Sequence, residues 1–116
     1  GFGNDIPNTV ENVKLAARLG CEMGAHIIKT TFAGEAEEFR SVVEGSFCPV
    51  VVLGGDKVKN IGDLFSLIKD AMQAGAAGVA IGRNVWKHEH PDKVTTALVD
   101  LVHHGQSPAE CLSLIA

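Results

Sequence analysis

The sequence predicts an α/β fold built on a parallel sheet. Three observations carry that expectation. Short apolar runs alternate with longer stretches of helical periodicity, in the order helix, strand, helix, strand, helix, strand, helix, helix. Such alternation builds parallel strands joined by right-handed crossovers. The clearest run, Pro49-Val50-Val51-Val52-Leu53, has no polar residue in it, the pattern of a strand covered on both faces. Glycines punctuate the junctions, at positions 24, 34, 45, 54, 55, 75, 82 and 105, where turns need them.

Asn8 to Met23 places Val10, Val13, Ala16, Ala17 and Leu19 at helical spacing, with Asn8 or Thr9 as cap and Gly24 as stop. Ala25 to Lys29 reads as a short buried strand and Thr30 to Gly34 as a loop. Glu35 to Glu44 is a helix with Phe39, Val42 and Val43 inward, stopped by Gly45; its Glu35, Glu37 and Glu38 form an acidic first turn. Pro49 to Leu53 is the second strand, broken by Gly54-Gly55. Asn60 to Ala74 turns Leu64, Phe65, Ile68, Ala71 and Met72 to one side and ends at Gly75. Gly78 to Ile81 is the third strand, followed by a helical turn at Asn84 to Lys87. Pro91 to His103 carries Val94, Ala97, Leu98, Leu101 and Val102 inward, with proline in its first turn. Ser107 caps the last helix, with Pro108 first and Glu110 third.

The strand ends Lys29, Leu53 and Ile81 recur about every two dozen residues. A (β/α)8 barrel takes roughly 250 residues, so three such units are under half of one. An open flavodoxin-like sheet is the alternative and needs about five strands. Three parallel strands alone leave a long edge unpaired, and the chain opens on Gly1 rather than Met. Residues 1–116 are therefore read as one partial domain of a longer α/β protein.

Of 116 residues, 46% are hydrophobic and 21% charged, enough apolar content for a packed core. The net charge of −4, with no basic stripe, argues against nucleic acid as a partner. The longest apolar run is far below the roughly 20 residues of a membrane span. Cys21, Cys48 and Cys111 fit neither a disulfide framework nor a zinc pattern. They are expected to be small buried hydrophobes in a reducing cytoplasm. The five histidines lack metal-site spacing, so no metal is expected.

Chemistry in α/β folds gathers at the carboxyl ends of the strands, and each predicted strand ends in something notable. The first ends in Lys29. A desolvated ammonium loses its proton more readily and becomes a nucleophile for a carbonyl; the alternative is a lysine that snorkels to water. The second ends in Gly54-Gly55-Asp56-Lys57. Paired glycines let the backbone approach an anion, or simply turn the chain. The third ends in Gly82-Arg83-Asn84 before a helical turn, which joins a guanidinium to backbone N–H donors. The two glycine stations follow consecutive strands, so together they point to phosphate.

Three blocks resemble a known family, and the likeness runs through nearly the whole chain. Ala16-Ala17-Arg18-Leu19-Gly20 with Met23-Gly24-Ala25-His26-Ile27-Ile28-Lys29-Thr30 resembles the fifth helix and sixth strand of the archaeal-type class I fructose-bisphosphate aldolases. Leu53-Gly54-Gly55-Asp56-Lys57 resembles that family's Gly-Gly-Pro-Lys station after strand seven. Ala71 through Trp86 resembles its strand eight and phosphate loop. The family includes aminodideoxyheptulosonate synthases and the thiolase of autoinducer-2 phosphate breakdown.

The resemblance implies the C-terminal portion, strands six to eight with their helices, of a (β/α)8 barrel. It implies Lys29 as the Schiff-base lysine, Gly54, Gly55, Gly82 and Arg83 at the substrate phosphate, and Lys57 near the site. The implied reaction is aldol cleavage of a ketose phosphate such as fructose 1,6-bisphosphate, or the related transaldol transfer. It needs no metal and no cofactor. A thiolase acting on a phosphorylated dione and a non-catalytic phosphosugar-binding barrel are the alternatives. The implied partner is a small sugar phosphate, with a homo-oligomer and neither nucleic acid nor membrane. The family's general acid is a tyrosine on an earlier strand, and this chain has none. Asp56 stands where the family commonly has proline. Its carboxylate would repel a phosphate dianion unless it points away or pairs with Lys57. The loop from Thr30 to Gly34 also departs from the usual aromatic-Thr-Gly.

Overall fold

The computed structural model describes residues 6–55 and 57–115. The elements run α1 (Val10–Glu22), β1 (Ile28–Thr30), α2 (Ala36–Glu44), β2 (Val50–Leu53), α3 (Ile61–Gln73), β3 (Gly78–Ala80), α4 (Arg83–Trp86), α5 (Pro91–His103) and α6 (Pro108–Ile115). The three strands form one parallel sheet in the order β1-β2-β3. This is the α/β alternation expected from the sequence.

The helices begin where the capping residues stand. Thr9 Oγ1 accepts the Asn12 N–H at 3.2 Å, Asn60 Oδ1 accepts the Gly62 N–H at 2.9 Å, and Ser107 Oγ accepts the Glu110 N–H at 3.1 Å. Each satisfies a first-turn donor that the helix itself cannot.

The first strand starts three residues later than the sequence predicts. Ala25 is irregular, His26 and Ile27 form a bend, and Ile27 is 60% exposed. The physical reason is the end of α1. The Ala25 N–H closes back on the Gly20 carbonyl at 3.1 Å, so the chain is still reversing there. Pairing begins only at Ile28, whose N–H reaches the Pro49 carbonyl at 2.9 Å.

Register assigns the two faces of the sheet. Ile28, Lys29 and Thr30 stand opposite Val50, Val51 and Val52, and Val51, Val52 and Leu53 opposite Gly78, Val79 and Ala80. Strand side chains alternate between faces. Ile28, Val50 and Val52 therefore share one face and are buried, against Val13 and Ala17 of α1, Phe39 and Val42 of α2, and Ala71 of α3. Lys29, Val51, Leu53, Gly78 and Ala80 share the other face, where none is buried. The expectation of a strand covered on both faces is met in part: one face of β2 is buried under the helices, and Val51 and Leu53 on the other are half-buried.

A second cluster joins Leu64, Phe65 and Ile68 of α3 to Val94, Ala97, Leu98 and Leu101 of α5 and Cys111 of α6. Leu67 and Met72 of α3 touch both clusters, so α3 is the beam between them. Phe65 is fully buried there. Phe65→Ala is expected to cost about 3–5 kcal/mol, read as a fall in the urea midpoint of unfolding followed by circular dichroism.

Candidate active site

Lys29, Leu53, Gly54, Gly55, Ala80, Gly82, Arg83 and Trp86 line one open cavity of about 300 Å³. It lies at the carboxyl ends of the strands, continuous with the bare face of the sheet. The strand residues on it follow from register. Lys29 stands beside Val51 on the face that no helix covers, while its neighbours Ile28 and Thr30 face the helices. Lys29 is exposed, so these residues by themselves do not desolvate its ammonium.

The two glycine stations close the opposite wall. Gly55 adopts φ +69°, a left-handed conformation that side chains with a Cβ resist. Gly82 lies flat against the indole of Trp86, where a Cβ would sit 2.7 Å from Cζ3. Trp86 is 67% exposed on α4 and forms an aromatic wall beside Arg83, which opens the same helix.

Asn84 holds these pieces together. It is the buried polar residue among those described, at 2% exposure. Its Oδ1 accepts the Val58 N–H at 2.7 Å and its Nδ2 donates to the Gly54 carbonyl at 3.2 Å. One side chain on the turn after β3 thus fixes both ends of the loop after β2. A buried amide costs free energy unless paired in this way. Nothing in the sequence distinguishes Asn84 from a solvated residue of a helical turn, and its role is visible only in three dimensions. Trp86 was likewise legible only as part of a motif.

Lys57 is placed elsewhere. Its Nζ donates to the Lys87 carbonyl at 3.0 Å, and it lines a neighbouring cavity with Lys59, Asn60, Asn84, His88 and Glu89. Asp56, which stands where the resembled family commonly has proline, lies outside the described residues. The histidines make local contacts. His88 Nδ1 accepts the His90 N–H at 2.9 Å, and His104 Nδ1 lies 2.8 Å from Asp100 Oδ1.

A sequence profile of the DeoC/LacD family aldolases matches residues 3–88. This chain belongs to that aldolase family. Among its relatives, the 2-amino-3,7-dideoxy-D-threo-hept-6-ulosonate synthase of Halobacterium salinarum is 42% identical over 104 residues, covering 88% of this chain and 38% of that protein. The class 1 fructose-bisphosphate aldolase of Thermoproteus tenax is 36% identical over 105 residues, covering 90% of this chain and 40% of that protein. A solved archaeal fructose-1,6-bisphosphate aldolase, with its catalytic lysine covalently bound to the carbinolamine intermediate of the substrate, superposes with a TM-score of 0.82 at 34% identity. That match covers 87% of this chain and 41% of the other. The chain thus spans about two-fifths of the length of the aldolases it matches.

The clamp can be tested directly. Asn84→Leu removes the partner of the Val58 N–H and of the Gly54 carbonyl while keeping the branched shape of the side chain. It is expected to lower stability by about 1–3 kcal/mol, measured by denaturant unfolding.

Proposed function

We propose that this chain supplies strands six to eight of a (β/α)8 barrel whose whole protein is a Schiff-base aldolase acting on a ketose phosphate. The observation that carries the reading is the shared cavity. The lysine of β1 faces two glycine turns and an arginine across a space fit for a small phosphorylated ligand. The bare sheet face supports it as well, since in a closed barrel that face turns inward and is covered by the other strands' side chains. The same closure would exclude water around Lys29.

In this reading the Lys29 amine attacks the substrate ketone to give a carbinolamine. Loss of water leaves an iminium on the Lys29 nitrogen. The iminium withdraws electrons from the adjacent carbon; as the hydroxyl on the next carbon gives its proton to a base, the bond between those two carbons breaks, the aldehyde leaves and the electron pair rests in an enamine. Protonation of the enamine carbon and hydrolysis then release the ketone product and restore the amine. Arg83 and the backbone N–H groups of the glycine turns hold the phosphate, which fixes the distance from the carbonyl to Lys29. Proton transfer to the departing hydroxide needs a general acid. In the family resembled by the sequence this is a tyrosine on an earlier strand, a residue type this chain lacks. Fructose 1,6-bisphosphate is the proposed substrate, with the transaldol reaction of the heptulosonate synthases as its counterpart on the same lysine chemistry.

Two measurements test the reading. Borohydride reduction in the presence of fructose 1,6-bisphosphate is expected to fix a stable adduct on Lys29, mapped by peptide mass and lost in Lys29→Arg. A full-length parent that forms no adduct would be a binding protein and not an aldolase. Trp86 is the single tryptophan, so a ketose phosphate entering the cavity is expected to change its fluorescence. Arg83→Ala should weaken that titration about tenfold or more, the loss of a charge-assisted hydrogen bond of about 1.5–3 kcal/mol.

A further inference from the structure

Cys21 and Cys48 lie 27 positions apart in the sequence, and the fold brings them together at the end of the sheet opposite the cavity. Cys21 sits in the last turn of α1, and Cys48 on the approach to β2. Ser46 joins them. Its Oγ lies 3.0 Å from Cys21 Sγ, accepts the Cys48 N–H at 3.3 Å and donates to the Cys48 carbonyl at 3.0 Å. Cys48 Sγ donates to the Ala25 carbonyl at 3.0 Å. Both cysteines are half-buried, whereas Cys111 is buried and donates to the Ala97 carbonyl at 3.3 Å. The expectation of three buried small hydrophobes holds for Cys111, while Cys21 and Cys48 are half-buried against the edge of the core.

The pair is electrostatically unequal. Burial raises the Cys21 thiol, but the Cys48 side chain, the Ser46 hydroxyl and the backbone of Cys48 and Phe47 outweigh it and hold it below the ordinary thiol value. The Cys21 side chain, then burial, pushes Cys48 up. Burial and the nearby Asp100 and Glu110 carboxylates push Cys111 up. The Cys48 thiol proton is committed to the Ala25 carbonyl, whereas Cys21 Sγ faces the Ser46 hydroxyl; thiolate character and access decide which cysteine reacts, and this geometry makes Cys21 the nucleophile of the pair and Cys48 its resolving partner.

We infer that Cys21 and Cys48 form a dithiol site at which a peroxide is reduced and an intramolecular disulfide closes, tying the end of α1 to the start of β2. The Cys21 thiolate attacks one peroxide oxygen and the O–O bond breaks. The leaving hydroxide takes up the proton that Cys21 gave to solvent and becomes water. The Cys48 sulfur then attacks the sulfenic sulfur, the S–O bond breaks, and the second oxygen leaves as water with the Cys48 proton. Two thiols lose two electrons and one peroxide gains them. Neither cysteine lines the cavity of Lys29, so the site stands or falls independently of the aldolase reading.

The test treats the reduced chain with hydrogen peroxide, blocks remaining thiols under denaturing conditions and maps the peptides without reductant. The expected product is monomeric, lighter by two hydrogens before blocking, with Cys21 joined to Cys48 and the blocking group on Cys111 alone. Cys48→Ser should instead leave a sulfenic acid on Cys21 that dimedone captures, and Cys21→Ser should leave Cys48 reduced. A disulfide that includes Cys111, a link between two chains, or free thiols at both positions 21 and 48 after stoichiometric peroxide overturns the inference.

Discussion

Side chains along a strand point alternately to opposite faces, and in this sheet the helices occupy one of them. Ile28, Val50 and Val52 are drawn against α1, α2 and α3 by the burial of apolar surface. The alternation then leaves Lys29 no choice of side. It must stand with Leu53 and Ala80 on the open face, and a slip of one residue would bury an ammonium among valines and phenylalanine. The position of the lysine amine is thus a consequence of hydrophobic packing on the far side of the same strand.

The glycine-turn wall of the cavity depends on a different constraint. A strand cannot carry its backbone donors around a ligand, so the chain must leave regular structure at Gly54-Gly55 and again at Gly82. Irregular backbone needs external partners for its polar groups. Asn84 supplies them for the loop after β2, accepting from Val58 and donating to Gly54. The packing of Gly82 on Trp86 sets the other turn. Ordering of the cavity therefore rests on one buried amide and one aromatic ring, neither of which is a reacting group.

The two ends of the sheet differ in chemistry. The carboxyl end carries Lys29, the glycine turns and Arg83. The amino end carries the Cys21–Ser46–Cys48 cluster, which links α1 to the start of β2 through hydrogen bonds alone. The 27-residue sequence separation of its two thiols hides that cluster from any reading by spacing.

The sequence by itself determined the order of the elements, most of their ends and five of the eight residues that line the cavity: Lys29, Gly54, Gly55, Gly82 and Arg83. These are local properties: apolar spacing, capping side chains and glycines in turns act within a few positions of one another. The limits of Pro91–His103 fall where proline and periodicity put them, and the blocks around Lys29, Gly54-Gly55 and Gly82-Arg83 were legible as motifs. Only the tertiary structure decided what those residues face. The start of β1 was set by where α1 finishes reversing, and the bare face of β2 by which helices this stretch of chain contains. Lys57 turned to the Lys87 carbonyl, Asn84 became a buried clamp and two distant thiols met across Ser46. Each of these outcomes depends on groups far apart in sequence meeting in space, where burial and hydrogen-bond satisfaction, rather than local propensity, fix the result.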